Sequence, residues 1–216
     1  MVANEHGRII ATQATSALAE LGLSRIGNSR SWIADHGAWL DVVCFEPSGF
    51  QKGTYCSVAV HWLWGPDPML SFDYGFRRTG WASFVEPESF ARDVDAMATK
   101  AIAIVNQRRI RLSSLREIAA TLAGEADDAM RNGYVSWSAY HCAVASGLIG
   151  DFPTAERMFK ALLVVAPADP PFVGDRAALA QELLTALDRR PLFLERIQQL
   201  LDRQRAFFRL PPHHLA

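Results

Sequence analysis

The sequence predicts an α+β fold: a helix, a four-stranded antiparallel meander and a second helix, followed by an all-helical C-terminal unit. Three observations predict it. Apolar residues recur at helical spacing near the N-terminus and again from residue 87. The stretch between them alternates with period two and is broken by short Gly, Pro and Asn turns. Beyond residue 113 only the helical period is found.

The first helix covers 4–22, with Ile10, Ala14, Ala17, Leu18 and Leu21 on one side and Gly22 as its stop. Strands are predicted at 24–34, 38–46, 55–64 and 69–77. His36-Gly37 turns the chain between the first two, and Glu46 to Gly53 is a longer loop. Gly65-Pro-Asp-Pro68 is a strong turn signal. Each connection is too short for a parallel crossover, so the strands are antiparallel. The next helix starts at Pro87, where the missing amide proton costs nothing, and carries Phe90, Val94, Met97, Ala101, Ile104 and Val105.

In the helical half, Ser114-Leu-Arg-Glu117 is a capping box and Asn132-Gly133 a stop. Ser136 caps a helix through Leu148. Phe152 opens one through Val165 that Pro167 closes. Asp175 and Pro191 begin two more. The domain reading is therefore an α+β domain at 1–110, a domain of about five helices at 111–209, and a flexible tail at 210–216.

Half of the 216 residues are hydrophobic and 21% are charged, which excludes disordered and fibrous classes. With 22 basic residues against 23 acidic, binding dominated by nucleic acid or an anionic membrane is not expected. Cys44, Cys56 and Cys142 are odd in number and form no CxxC pair, so neither a disulfide framework nor a zinc spacing is present. They read as reduced thiols of a cytoplasmic protein. No signal peptide is evident in the first thirty residues, and the longest apolar runs are far below the roughly 20 residues of a membrane span. Glycine-rich phosphate loops, GxSxG and HExxH are all absent, which lowers the expectation of an enzyme without removing it. No metal or cofactor is expected. A homo-oligomer is compatible with the sequence.

Two resemblances add to this. Leu21-Gly-Leu-Ser-Arg25, then Trp39-Leu-Asp-Val-Val-Cys-Phe45, then Tyr55-Cys-Ser-Val-Ala-Val-His61 resemble an uncharacterised bacterial helix–sheet–helix domain family, some of whose relatives look immunity-like. The glutamine that family carries after the second strand is here Glu46. The resemblance implies a protein-binding role. Gly150-Asp151-Phe152, Ala155, Phe159, Leu162 and Pro167 resemble a single tetratricopeptide hairpin over 137–167, with Ala143 and Ser146 departing from it. No second copy follows at that family's period, so a repeat groove is not implied.

Strand alternation nominates the candidate sites. If the register aligns them, Asp41, His61 and Asp73 gather on the less apolar sheet face, where a carboxylate beside an imidazole begins a general base for a small hydrolase. The bland alternative is a solvated polar face. Trp39, Trp62, Trp64 and Trp81, with Arg77 and Arg78, are candidate anchors for a protein partner, because alternation cannot place Trp62 and Trp64 in the core while also hiding Trp39. The leading reading is an interaction protein that binds through an aromatic sheet face, with an immunity-like role as one form of it. The alternatives are the hydrolase and a helical-repeat adaptor centred on 137–167.

Overall fold

Helix α1 (Glu5–Ala19) buries His6, Ile10, Ala14 and Leu18, one residue per turn along a single stripe. It ends in a Schellman motif. Gly22 takes φ +72°, its N–H donates to Ala19 O, and Leu23 N–H donates back to Leu18 O. The structure, a computed structural model, describes residues 5–132, 137–165 and 174–215.

The sheet follows in chain order: β1 (Ser24–Arg25), β2 (Ser31–Asp35), β3 (Trp39–Pro47), β4 (Gly53–Trp62) and β5 (Tyr74–Ser83), an antiparallel meander. The helix–meander–helix layout is the expected one, but the meander has five strands. The predicted first strand, 24–34, is cut in two by a turn at Gly27 (φ +50°), where Ser29 N–H donates to Ile26 O. The Arg25 guanidinium braces that turn by donating to Ser29 O and Asn28 O. The predicted fourth strand, 69–77, instead runs from Tyr74 to Ser83. Two prolines at 66 and 68 lack the N–H a ladder needs, and regular pairing with β4 starts only near Tyr74.

Strand β5 is bulged twice. Cys56 and Ser57 face Gly80 and Arg78, while Val58 and Val60 face Arg77 and Tyr74, so the extra residues lie on β5. Gly75 supplies the left-handed conformation at the second bulge (φ +61°), and its carbonyl accepts from Arg108 Nη2 at 2.6 Å. Because β4 keeps its alternation, Cys56 and Val58 join Trp32, Val43 and Phe45 against α1 and α2 (Pro87–Arg111). From α2 that core takes Phe90, Val94, Met97, Ala101 and Val105.

Five helices make up the rest: α3 (Leu115–Arg131), α4 (Trp137–Ile149), α5 (Phe152–Val165), α6 (Gly174–Ala186) and α7 (Arg190–Phe208). Ser114 Oγ accepts from Glu117 N–H at the start of α3, as the capping box predicts. Gly133, Ser136 and Pro167 lie outside the described residues. Helix α4 is buried on every side from Ala139 to Leu148, and Gly147 lets the Phe193 ring of α7 approach its backbone. A Cβ at Gly147 would stand 2.5 Å from that ring. Residues 210–215 run back along α7. There Gln198 bonds to His213 O and Leu215 N–H, and Arg205 Nε donates to Pro211 O.

By packing, the chain divides into two units, Met1–His61 with Leu70–Arg108, and Trp62–Met69 with Arg109–Ala216. The segment that leaves the end of β4 thus belongs to the helical unit. Its carbonyls explain why: Trp64 O accepts from the Tyr140 hydroxyl, Gly65 O and Asp67 O from Gln204, and Pro66 O from Arg203. Among the described residues, no helix is long and apolar enough to cross a membrane.

Candidate functional site

The nominated acid–base cluster assembles only in part. His61 and Asp73 meet, but Asp41 does not join them. Asp41 sits two residues before Val43 and opposite Ala34, on the face that packs against α1 and α2, whereas His61 alternates with Val58 and Val60 and lies on the other face. Asp41, fully buried, takes His36 Nε2 at 2.8 Å instead, and the His36 ring stacks on Trp39 at 4.0 Å. Grouping Asp41 with His61 presupposes one polar face, but β3 is buried on both sides, with Leu40, Val42, Val43 and Phe45 all inaccessible.

At His61 the geometry is that of a pin. Ser71 Oγ at 2.7 Å and Asp73 Oδ2 at 3.1 Å both lie on Nδ1, and Ser71 N–H points at the same atom. A nucleophile–base–carboxylate chain needs the hydroxyl and the carboxylate on opposite ring nitrogens. Here Nε2 is closed to solvent. The arrangement ties Ser71 and Asp73, on the approach to β5, to the end of β4. Among the described residues, no group of three His, Cys, Asp or Glu side chains is placed to hold a metal ion.

The candidate aromatics also separate. Trp39, Trp62 and Trp64 are buried, at 5%, 0% and 0% exposure, so none of them is the exposed ring that alternation demands. That demand holds only if strand alternation continues to residue 64. Strand β4 ends at Trp62, and the turn beyond it lets the two indoles stack at 4.8 Å, nearly parallel. Trp64 Nε1–H donates to His141 Nδ1 at 3.1 Å, so that ring nitrogen acts as an acceptor.

Arg77 and Arg78 are exposed on β5, and Trp81 is half-buried there. Trp81 and Arg78 lie in a continuous row on the face opposite α1 and α2, with Tyr55 of β4 between them. The Tyr55 ring is 4.6 Å from the Trp81 ring and 4.6 Å from the Arg78 guanidinium. Phe76 follows at 6.0 Å from Arg78, and Phe72 at 5.7 Å from Phe76. Phe76 is 49% exposed and Arg78 56%. Arg77 faces Val58 and so points to the opposite side of the strand. Tyr55, Phe72 and Phe76 are the members that sequence reasoning does not nominate. Tyr55 is within its reach, since it extends the Ser57, Ala59, His61 series. Phe76 is not, because the bulges reset which β5 residues share a face, and Phe72 precedes the strand.

One competing site exists in the helical unit. Clefts of about 370 and 410 Å³ flank the pair formed by Arg196 and Glu182, which lies between α6 and α7. Arg196 also donates to Gln199 and Arg203 to Pro66 O, so the cations there are already engaged. A search for relatives found no matching family model, curated protein or solved structure.

Proposed function

We propose that the protein is a non-catalytic interaction protein that binds a protein partner through the row Trp81–Tyr55–Arg78–Phe76–Phe72. The observation that carries this reading is the row itself, two exposed phenylalanines and an exposed guanidinium continued by the half-buried rings of Tyr55 and Trp81, in a chain that buries Trp32, Trp62 and Trp64 completely. Partly exposed aromatics and arginine are the residue types that concentrate binding energy at protein interfaces. The immunity-type role implied by the sequence resemblance is one form such binding takes.

Affinity capture from a lysate of the native host, comparing the wild-type chain with the double variant Phe76→Ala, Trp81→Ala, tests the reading. A stoichiometric protein held by the wild type and lost from the variant is the expected result. A partner retained by the folded variant, or no stoichiometric partner with the wild type, overturns it. His61→Ala separates the hydrolase alternative, since it should leave capture intact.

A further inference from the structure

Granted the proposed interaction role, on which this inference rests, the chemistry of the row says more than its location. Arg78 lies among three neighbours. Its guanidinium face lies over Tyr55 at 4.6 Å and near Phe76 at 6.0 Å, and its Nε is 3.9 Å from Glu46 Oε2. The same Glu46 oxygen accepts the Ser57 hydroxyl at 2.6 Å, which pins the carboxylate beneath the strand surface. The contact to Glu46 is made by Nε, and the guanidinium is a planar donor group able to take a carboxylate on two nitrogens. The side chain is 56% exposed.

We infer that the row receives a short apolar–acidic segment of a partner protein, with an Asp or Glu side chain taken bidentately by the Arg78 fork and neighbouring apolar residues laid on Phe76, Phe72 and Trp81. Charge complementarity selects this occupant: the fork offers donors only, its local counter-ion Glu46 is already shared with Ser57, and the flanking positions are rings. A second copy of this chain is the wrong occupant, because an isologous contact centred on the row would set Arg78 against Arg78. Strand addition along β5 is also disfavoured. The two bulges interrupt the β5 edge on either side of Arg77 and Arg78, so the segment is placed across the face.

The test selects a phage-displayed library of random short peptides against the intact chain, then measures the enriched peptide by fluorescence anisotropy. Enriched sequences are expected to carry Asp or Glu beside an aromatic or aliphatic residue. Arg78→Lys keeps the charge and loses the fork, and is expected to weaken binding about tenfold; Arg78→Gln is expected to weaken it further. Both are surface changes, and unchanged far-UV circular dichroism confirms the fold. Basic or uncharged consensus sequences, no enrichment, or equal affinity for Arg78→Lys overturn the inference. So does tighter binding of single-stranded oligothymidylate than of the peptide, or a dimer in sedimentation that Arg78→Gln abolishes. Partner capture distinguishes a failure here from a failure of the surface itself. Capture lost from Phe76→Ala, Trp81→Ala but kept by Arg78→Gln leaves the surface standing and removes the acidic segment. Capture kept by both the double variant and Arg78→Gln removes the surface as well.

Discussion

Two groups of aromatic residues in this chain have similar composition and opposite circumstances. In the helical unit, Trp62 and Trp64 stack on each other, Trp64 donates to His141, Tyr140 donates to the Trp64 carbonyl, and Phe159 closes the group. All five side chains are buried. In the sheet unit, Trp81, Tyr55, Phe76 and Phe72 form an open row around Arg78. In the first group the Trp64 indole nitrogen and the Tyr140 hydroxyl are hydrogen-bonded internally, as buried Trp and Tyr commonly are. The second leaves apolar area and guanidinium donors to solvent. Aromatic content alone therefore says nothing about binding; what distinguishes the groups is how much of their surface is left accessible.

The largest effect should come from the closed group. Trp64→Ala removes a fully buried indole and its bond to His141, and is expected to cost about 3–5 kcal/mol of stability. Trp81→Ala, by contrast, should cost about 1 kcal/mol or less while removing partner capture. Urea denaturation of both variants measures the contrast. Comparable stability losses would break the distinction between the two groups.

Next in size is Gly75→Ala. The residue sits at φ +61°, where an L side chain is strained, and its new Cβ would lie 3.0 Å from Arg108 Nη2. A loss of about 1–2 kcal/mol is expected from the backbone conformation alone. Because the bulge at Gly75 aims Phe76 and Arg78 onto one face, capture should fall as well. If stability drops and capture does not, the bulge is not what shapes the row.

How far these features are legible in the sequence depends on which physical rule governs them. Helices α1, α2 and α3 follow from apolar periodicity, Pro87 and the Ser114 capping box, all of which act within one or two turns. The cap carries its own test: Ser114→Ala should cost about 1 kcal/mol by thermal melting. The meander is legible except for the position of its last strand and for its strand count, which Gly27 raises to five by a left-handed turn inside a stretch that otherwise alternates. The faces are the least legible part. Alternation places His61 with Ser57 and Ala59, yet it presupposes a polar side that β3 lacks, and so it groups Asp41 with the wrong histidine. On β5 two inserted residues reverse the face twice, and no local pattern marks them. Trp64 escapes alternation for a simpler reason, since a turn after Trp62 ends the strand that would have exposed it.

The smallest effect, and the one that sharpens the comparison between units, concerns pH. His6 is buried between the Phe84 and Phe90 rings, with Arg30 Nη2 at 3.5 Å from Nδ1. Its pKa is pushed below the ordinary 6.5, first by burial, then by the Arg30 charge and to a lesser degree by Lys52, against a raising bond to the Gly53 backbone. With the folded value below the unfolded one, the unfolded chain binds more protons as the solution is acidified, so stability falls with pH. The His6 contribution is complete above pH 6.5 and is lost as the pH drops through 6.5 toward the folded value. The melting temperature of the wild type should therefore decline from about pH 7.5 to about pH 5 more steeply than that of His6→Gln. His6 packs against α2 and the sheet core, so the difference should appear in the unit that carries the open row. Near-UV circular dichroism of the Trp62–Trp64 pair should follow the same curve only if the two units unfold in one transition. A wild type and a His6→Gln variant with parallel pH profiles would show that the buried histidine contributes nothing to acid sensitivity.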